Sequence, residues 1–483
     1  MPHQQFSIHH DTQPFAVIDI GSNSVRLVVY HDRARVPVPV FNEKYFCALG
    51  RGVAATGRLN PEGKAEAEAA MARFAALVQR LKVREIHGVA TAAIRSASDG
   101  PAFIAEINRR HGFDIEVIDG TTEATLAAQG IQSAFYRPDG LVADLGGGSL
   151  ELARLCEGEI SQQQSLGFGS LALDGVAADA KSIRSLIKDH RSLPIPRADT
   201  LYAIGGSFRN LAKHHVVARE YPLGLIHGYR ISLRQLSALI RRLEPLSPDE
   251  IAALPGVSAK RADSMLATGI LLRELMRAAD ADQVVFSVSG IREGLAYRQL
   301  SERAQARDPL LASAYDLGML AGRSGAYAEE LYAWTQPLFA DDTPERQRLR
   351  RALCTIGEIA WTIDPVYRAE WAWDRVIHSA IKGLTHHERL ILALGLYHRY
   401  SSRWKHDDRL IRFVTDEQQQ WAQRAGLAMN LAFQLSAGRA GNLNHFELAV
   451  KKGTLTLTHD KAAAPLMTSL VEKKLAALQE VVG

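Results

Sequence analysis

Two stretches of the chain share one hydrophobic pattern. Phe15-Ala-Val-Ile-Asp-Ile20 and Leu141-Val-Ala-Asp-Leu145 are apolar runs broken by a single aspartate near the end. Each leads at once into small residues, Gly21-Ser-Asn-Ser24 and Gly146-Gly-Gly-Ser149, and then into a second apolar run, Val25–Tyr30 and Leu150–Leu155. Short apolar runs bounded by turn residues predict buried strands, so a hairpin is expected in each place. The first hairpin is followed by an Ala- and Glu-rich helix over Pro61–Leu81, a strand over Ile86–Thr91, a helix over Pro101–His111 and a strand over Ile115–Ile118. Gly120-Thr-Thr-Glu123 then opens a helix, with threonine as the expected cap. After the turn Arg137-Pro-Asp-Gly140 the cycle repeats. Further strands are expected at Leu201–Ile204 and Val284–Val288, followed by Gly205-Gly-Ser207 and Ser289-Gly-Ile-Arg-Glu-Gly294. Beyond about residue 310 the pattern is helical to about 440, with a closing hairpin of His445–Val450 and Thr454–Thr458.

Alternating strands and helices predict an α/β fold with covered sheets. The repeated hairpin predicts two such domains, 1–136 and 137–310, facing a common cleft, and a mostly helical third domain over 311–483. A chain of 483 residues exceeds what one core usually supports. Its composition, 47% apolar and 23% charged, is that of a globular protein, and a net charge of +4 permits an anionic partner without demanding one. The cysteines Cys47, Cys156 and Cys354 are far apart, which argues against a disulfide framework or a cysteine zinc site and for a reducing cytoplasm. His3, His9, His10 and Asp11 stand where a signal peptide would need apolar residues, and no run reaches membrane-spanning length.

The twin turns suit phosphate. Glycine lets backbone N–H groups approach an anion, and hydroxyls add donors. Gly21, Ser22, Asn23 and Ser24, with Gly146, Gly147, Gly148 and Ser149, are therefore the candidate phosphate loops. The plain alternative is a pair of tight hairpin turns. Three glycines in a row weaken regular structure by about 1 kcal/mol each relative to alanine, which favours a ligand at the second loop. Glu123, at a helix start, suits the helix dipole and could also take a proton from an attacking water. Asp144 and Glu151, on either side of the second loop, would repel each other and a phosphate unless a cation joined them. Mg²⁺, with Mn²⁺ as a substitute, is the natural partner. Arg95, after a strand, could pair with phosphate oxygens or simply lie on the surface.

Three further features weigh less. Gly57 to Lys64 imitates a P-loop but has five residues between its glycines and Ala65 where a hydroxyl belongs, so a turn and a helix start are expected. His378, His386, His387, His398 and His406-Asp407 suggest a metal-dependent His-Asp site, against the chance occurrence of such pairs. Arg346, Arg348, Arg350, Arg351, Arg389, Arg399, Arg403, Lys405, Arg409, Arg412, Lys451 and Lys452 read either as solvated helix faces or as a track for a long polyanion. The interleaved Trp361, Trp371, Trp373 and Trp404 read as core.

Taken in order, Asp19-Ile-Gly-Ser-Asn-Ser24, Thr91-Ala-Ala-Ile-Arg95, Gly120-Thr-Thr-Glu-Ala124, Asp144-Leu-Gly-Gly-Gly-Ser-Leu-Glu151, Gly167-Phe-Gly169, His227-Gly-Tyr-Arg230 and Gly290-Ile-Arg-Glu-Gly294 resemble the exopolyphosphatase / guanosine pentaphosphate phosphohydrolase family. That family lies in the superfamily of actin, sugar kinases and heat-shock chaperones. The likeness is strong over roughly 14–300 and weaker in the helical third. It implies two ribonuclease-H-like (actin-like ATPase) domains around a cleft, Glu123 as catalytic base, Asp144 and Glu151 as the Mg²⁺-associated acids, the two loops and Arg95 as phosphate contacts, and a homodimer. It also implies a degenerate His-Asp-like third domain that binds polyanions. Thr125 stands where the family often has arginine, which leaves one phosphate contact in doubt. The implied activity is release of the terminal phosphate of inorganic polyphosphate, with guanosine pentaphosphate as the alternative substrate and no nucleic-acid or membrane partner. An actin-like ATPase or sugar kinase is the reading from another class; no sugar-kinase aspartate is evident between the loops.

Overall fold

The computed structural model describes residues 13–173, 178–321, 325–404, 408–451 and 453–482. The chain divides into two compact units, Met1–Ala306 and Arg307–Gly483. The first unit holds two sheets. One is built from β1 (Phe15–Ile20), β2 (Ser24–Tyr30), β3 (Pro39–Phe46), β4 (Glu85–Ala90) and β5 (Ile115–Val117), in the order β3-β2-β1-β4-β5. The other is built from β6 (Gly140–Leu145), β7 (Leu150–Cys156), β8 (Glu159–Leu166), β9 (Thr200–Ile204), β10 (Arg230–Ser232) and β11 (Gln283–Phe286), in the order β10-β11-β9-β6-β7-β8. Apart from edge strand β10, the second order repeats the first. In both, the opening hairpin is antiparallel and the next strand pairs in parallel with its first strand. This is the duplicated α/β architecture that the repeated hairpin predicts.

The central strands are apolar throughout because both faces are covered. On the outer face of the first sheet, Ala16, Ile18, Ile20, Val25 and Leu27 pack on α1 (Pro61–Arg80) and α2 (Gly100–His111) through Met71, Phe74, Phe103 and Ile107. The inner faces receive a crossed pair of helices. Helix α3 (Gly120–Ala134) follows the first sheet in sequence, yet Ala124, Ala127, Ala128 and Ile131 pack on Val142, Ala153, Tyr202 and Val285 of the second. On the outer face of the second sheet lie α4 (Ala180–His190), α5 (Gly206–Ala218), α6 (Leu233–Leu243) and α7 (Met265–Ala279). Helix α8 (Ile291–Arg298) follows the second sheet but places Leu295 and Ala296 against Phe15, Val17, Val28 and Tyr30 of the first. The helices α3 and α8 cross where glycines remove the side chains. A Cβ on Gly294 would overlap the Leu126 carbonyl oxygen, and one on Gly130 would overlap the backbone of Gly290.

Two edge strands carry no clear sequence signal. Pro39–Phe46 is exposed or half-buried along its length, and Glu159–Leu166 carries three consecutive glutamines. Edge strands face water, so the continuous apolar run that marks the interior strands is lost. The segment 57–64 is what its residues suggest: Gly57 ends a helical turn with positive φ, and Pro61 starts α1.

In the second unit, α9 (Pro309–Leu320), α10 (Gly325–Trp334), α11 (Pro344–Ile356), α12 (Arg368–His378), α13 (His386–Tyr400), α14 (Asp416–Ser436) and α15 (Ser469–Gln479) surround a core in which α13 lies nearly buried. A hairpin of β12 (Phe446–Lys451) and β13 (Thr454–His459) accompanies them. No described helix is long and apolar enough to cross a membrane.

The helix crossing is directly testable. Gly294→Ala is expected to destabilise the protein by about 1–3 kcal/mol, because the added methyl meets helix backbone that cannot rotate away. Urea unfolding of the two proteins would measure it, and an unchanged midpoint would contradict the crossing.

Candidate active site

The period of two along a strand decides which side chains reach the space between the sheets. In β1, Ala16, Ile18 and Ile20 belong to the outer core, so Asp19 lies with Phe15 and Val17 on the inner face. In β6, Leu141, Ala143 and Leu145 belong to the outer core, so Asp144 lies with Val142 on the inner face. Pairing across each hairpin sets Arg26 opposite Asp19 and Glu151 opposite Asp144. The two hairpins are equivalent position for position, yet one carries an acid and a base and the other two acids.

Both turns close with the same bond: Gly21 N–H donates to Ser24 O and Gly146 N–H to Ser149 O, each at 3.0 Å. They converge. A Cβ on Gly147 would stand 2.9 Å from Ser22 Cβ and 3.0 Å from Asn23 Nδ2, and one on Gly148 would stand 3.0 Å from Ser22 Oγ. Bare glycine is what lets the loops touch. Residues 21–24 and 146–149 border one cavity of about 170 Å³, together with Asp19, Glu123, Asp144 and Glu151.

Glu123 arrives in the first turn of α3. The cap is Asp119, whose carboxylate accepts from Thr122 N–H at 2.7 Å; threonine was the expected cap, but the aspartate before the helix has the extended backbone and the reach. Glu123 is only 3% exposed. Arg95 Nη1 donates to Glu123 Oε2 at 3.0 Å and to the Ile118 carbonyl at 2.8 Å. The arginine that the sequence suggests for phosphate thus lies behind the glutamate and is not among the residues bordering the cavity. Thr125, at the position of the family's arginine, turns its hydroxyl back to the Thr121 carbonyl of its own helix.

The acids sit in a strained electrostatic setting. Burial lifts the Glu123 carboxyl above its ordinary range; Arg95 opposes the rise, while Asp144 and Asp19 add to it. Burial likewise pushes Asp144 up to about 6, against the pull of Arg209. Glu151 is raised too, first by burial and then by the charge of Glu123, although Ser165 Oγ donates to its Oε1 at 2.9 Å. Three acids thus share one buried side of the cavity, each held toward its protonated form.

Five cations line the same cavity: Arg26, Lys44, Arg209, Arg261 and Arg292. Arg292 Nη1 lies 3.1 Å from Asp19 Oδ2, a contact made possible because α8 packs on the first sheet. The Lys44 ammonium is held below its ordinary pKa, by burial and then by Arg261, Arg26, Arg209 and Arg292. Cations gathered this closely want a multivalent anion. None of the five is singled out from the sequence as a site residue. Arg26 left a trace, as the one charge interrupting an apolar strand, and Arg292 lies within the Gly290–Gly294 motif. Lys44, Arg209 and Arg261 have no local signature, since they come from an edge strand, a helix and a helical turn.

The helical unit holds several of its conspicuous residues internally, while Arg403, Arg412 and Lys451 stay exposed. Arg350 is fully buried against the Tyr332 carbonyl, Thr335 and Gln336. Arg348 holds Asp308, Arg399 holds Glu358, and Arg389 donates to the Val376, Ser379 and Ile381 carbonyls. His398 is buried, bonded to the Ser401 carbonyl and pushed down to about 4 by desolvation. His387 meets Gln418, and His378 meets its own helix. His406, Asp407, Lys405 and Lys452 lie outside the described residues. Among the described residues no three His, Cys, Asp or Glu side chains gather as a metal cage. Trp373 and Trp404 stack edge to face at 4.9 Å, whereas Trp361 and Trp371 remain 40% and 36% exposed rather than buried as expected.

Residues 27–303 match the Ppx/GppA phosphatase family, and residues 310–483 match the exopolyphosphatase C-terminal family. The chain belongs to the Ppx/GppA phosphatase family. Exopolyphosphatase 1 of Mycobacterium tuberculosis is 27% identical over 312 residues, spanning 60% of this chain and 88% of the relative. Among solved structures, the Ppx/GppA member of Aquifex aeolicus aligns with a TM-score of 0.53 at 25% identity, covering 59% of this chain and 97% of that one. An exopolyphosphatase from Cytophaga hutchinsonii aligns equally, with a TM-score of 0.53, 25% identity and the same coverage. The two-sheet unit is therefore the actin-like ATPase fold of the Ppx/GppA proteins.

Loop contact supplies a test. Gly147→Ala pushes a methyl against Ser22 and Asn23 and should lower kcat/KM for phosphate release about 10–100-fold with little loss of thermal stability. Steady-state kinetics beside a melting curve would show it; unchanged kinetics would mean the loops do not act together.

Proposed function

We propose that this Ppx/GppA protein is an exopolyphosphatase, hydrolysing the terminal phosphoanhydride bond of inorganic polyphosphate and releasing orthophosphate. One observation carries the reading: an acidic floor of Glu123, Asp144 and Glu151 lies beside two glycine loops and five cations in a single cavity. Loops and cations suit a chain of phosphates, and the buried glutamate suits the water that attacks it.

In this reading the terminal phosphate rests on the backbone of residues 21–24 and 146–149, and the phosphates behind it meet Arg26, Lys44, Arg209, Arg261 and Arg292. Water adds to the terminal phosphorus, the bond to the bridging oxygen breaks, and the shortened chain leaves with that oxygen. Glu123 takes the proton from the water. A carboxyl lifted toward neutrality is a stronger base than an ordinary one, and Arg95 fixes its orientation. Charge on the transferring phosphoryl group is met by groups already in place, which is where most of the rate gain in such reactions arises.

The hard oxygen donors of Asp144 and Glu151, both buried and both favouring positive company, fit Mg²⁺ or Mn²⁺, with phosphate oxygens and water completing the shell. When bound, the ion would offset the repulsion between these acids and the substrate and polarise a phosphoryl oxygen. The glycine-rich turn and the cations would also accept the 5′ phosphates of guanosine pentaphosphate. Phosphate release from long polyphosphate and from guanosine pentaphosphate, side by side with and without Mg²⁺, separates the two; release from the nucleotide alone would overturn the polyphosphate reading.

Glu123→Gln is expected to lower kcat by about a hundredfold or more while leaving KM within a few-fold. Unaltered kcat would remove Glu123 as the base. Ion binding has its own signature. Carboxyls raised in the folded state bind protons more tightly there than in the unfolded chain, so their contribution to stability is full below the unfolded pKa and is lost as pH rises through the folded one. For Asp144 that loss runs from the ordinary carboxylate range up to about pH 6. The ion-free protein should therefore melt at lower temperature as pH rises from 5 to 8, and added Mg²⁺ should raise the melting temperature more at about pH 8 than at about pH 5. Calorimetry would measure this, and an Mg²⁺ effect independent of pH would count against these ligands.

A further inference from the structure

We propose that α4 and the adjoining end of α7 form a second polyanion-binding surface, outside the catalytic cleft, that holds the distal part of a long polyphosphate chain. This rests on the exopolyphosphatase reading of the cleft. The anchor is Glu274, whose side chain is 2% exposed. Three guanidiniums converge on it: Arg184 Nη1 at 3.1 Å from Oε2, Arg273 Nε at 3.1 Å from Oε1, and Arg277 Nη1 at 3.0 Å from Oε1. One carboxylate needs one cation. Three leave a surplus of positive charge fixed in place, and Arg184 and Arg277 remain 59% and 49% exposed.

Helix geometry extends the patch. Lys181, Arg184 and Lys188 fall at i, i+3 and i+7 on α4, within about 60° of one another, and Arg191 follows at the helix end. All four are exposed. The stripe from Lys181 to Lys188 runs about 10 Å along the helix. Asp189, the one acid within α4, lies about 100° round from Lys188 and bonds Ser185. The helix dipole favours Lys188 and Arg191 at the C-terminal end but opposes Lys181 in the first turn. Lys181 has the cap residue Asp179 beside it; the excess arginines on Glu274 are explained by an external anion rather than by the helix.

The patch connects with the cleft. His190, at the last turn of α4, stacks edge-on against Phe168 at 5.3 Å. Phe168 stands between Gly167 and Gly169, and Gly169 abuts the backbone of the second glycine loop at Gly147 and Gly148. Ser170, next along, borders the catalytic cavity. Helix α4 is thus tied, through the buried Phe168, to the segment that abuts the second glycine loop. The helical unit does not supply this role through Arg348, Arg350, Arg389 and Arg399, which are engaged internally.

The test uses the full-length protein carrying Lys181→Ser, Arg184→Ser and Lys188→Ser together, with Glu123→Gln to prevent turnover. Binding of long-chain polyphosphate and of tripolyphosphate is measured by calorimetry across a salt series. The expected result is a loss of about tenfold or more in long-chain affinity, a salt slope shallower by about 2, and tripolyphosphate affinity unchanged. Arg184→Lys, which keeps the charge, should retain long-chain affinity and controls for damage to the Glu274 cluster. Equal weakening for both lengths, or no weakening for either, overturns the surface. If the protein without the three serine substitutions binds neither polyphosphate, the reading of the cleft fails instead.

Discussion

The crossing of α3 and α8 is the constraint on which the site depends. Each helix follows one sheet in sequence and covers the other, and the two can pass only because Gly130, Gly290 and Gly294 present bare backbone to each other. The exchange carries Glu123 from the first half of the unit to the inner face that bears Asp144 and Glu151. It carries Arg292 from the second half to Asp19. Without it Glu123 would not reach Asp144 and Glu151, nor Arg292 reach Asp19.

Around that crossing the duplicated hairpins have diverged in charge. Asp19 faces Arg26 in one and Asp144 faces Glu151 in the other. The first hairpin is close to neutral by itself. The second is an acidic pair in a dry setting, lifted toward the protonated form by burial. In the proposed reading a phosphate chain with a counter-cation would resolve both this repulsion and the crowding of the four arginines around Lys44. The acids and the cations are thus two halves of one electrostatic problem, and the same ligand answers both.

The two kinds of arginine show how burial separates structure from function. In the helical unit, Arg348, Arg350, Arg389 and Arg399 are held by Asp308, Asp342 and Glu358 or by carbonyl groups, while Arg346 and Arg351 pair with the exposed Glu417 and Glu329. On α4 and α7, three arginines share one buried carboxylate and two stay exposed. Composition along the chain could not distinguish them, because the distinction lies in what stands opposite each side chain.

The repeated apolar runs, the aspartates within them and the glycine turns were legible in the sequence, because a strand of period two ending in a tight turn is a local object. From these follow the two sheets, both glycine loops, the pair Asp144 and Glu151, and Glu123 at a helix start. What the sequence could not show is where Arg95 points, since its partner Glu123 is 28 residues away. Nor could it show the wall of Arg26, Lys44, Arg209, Arg261 and Arg292, or the edge strands whose polar residues face water. The wall depends on residues far apart in the chain meeting in space, and Arg292 joins it only because glycines distant in sequence let two helices cross.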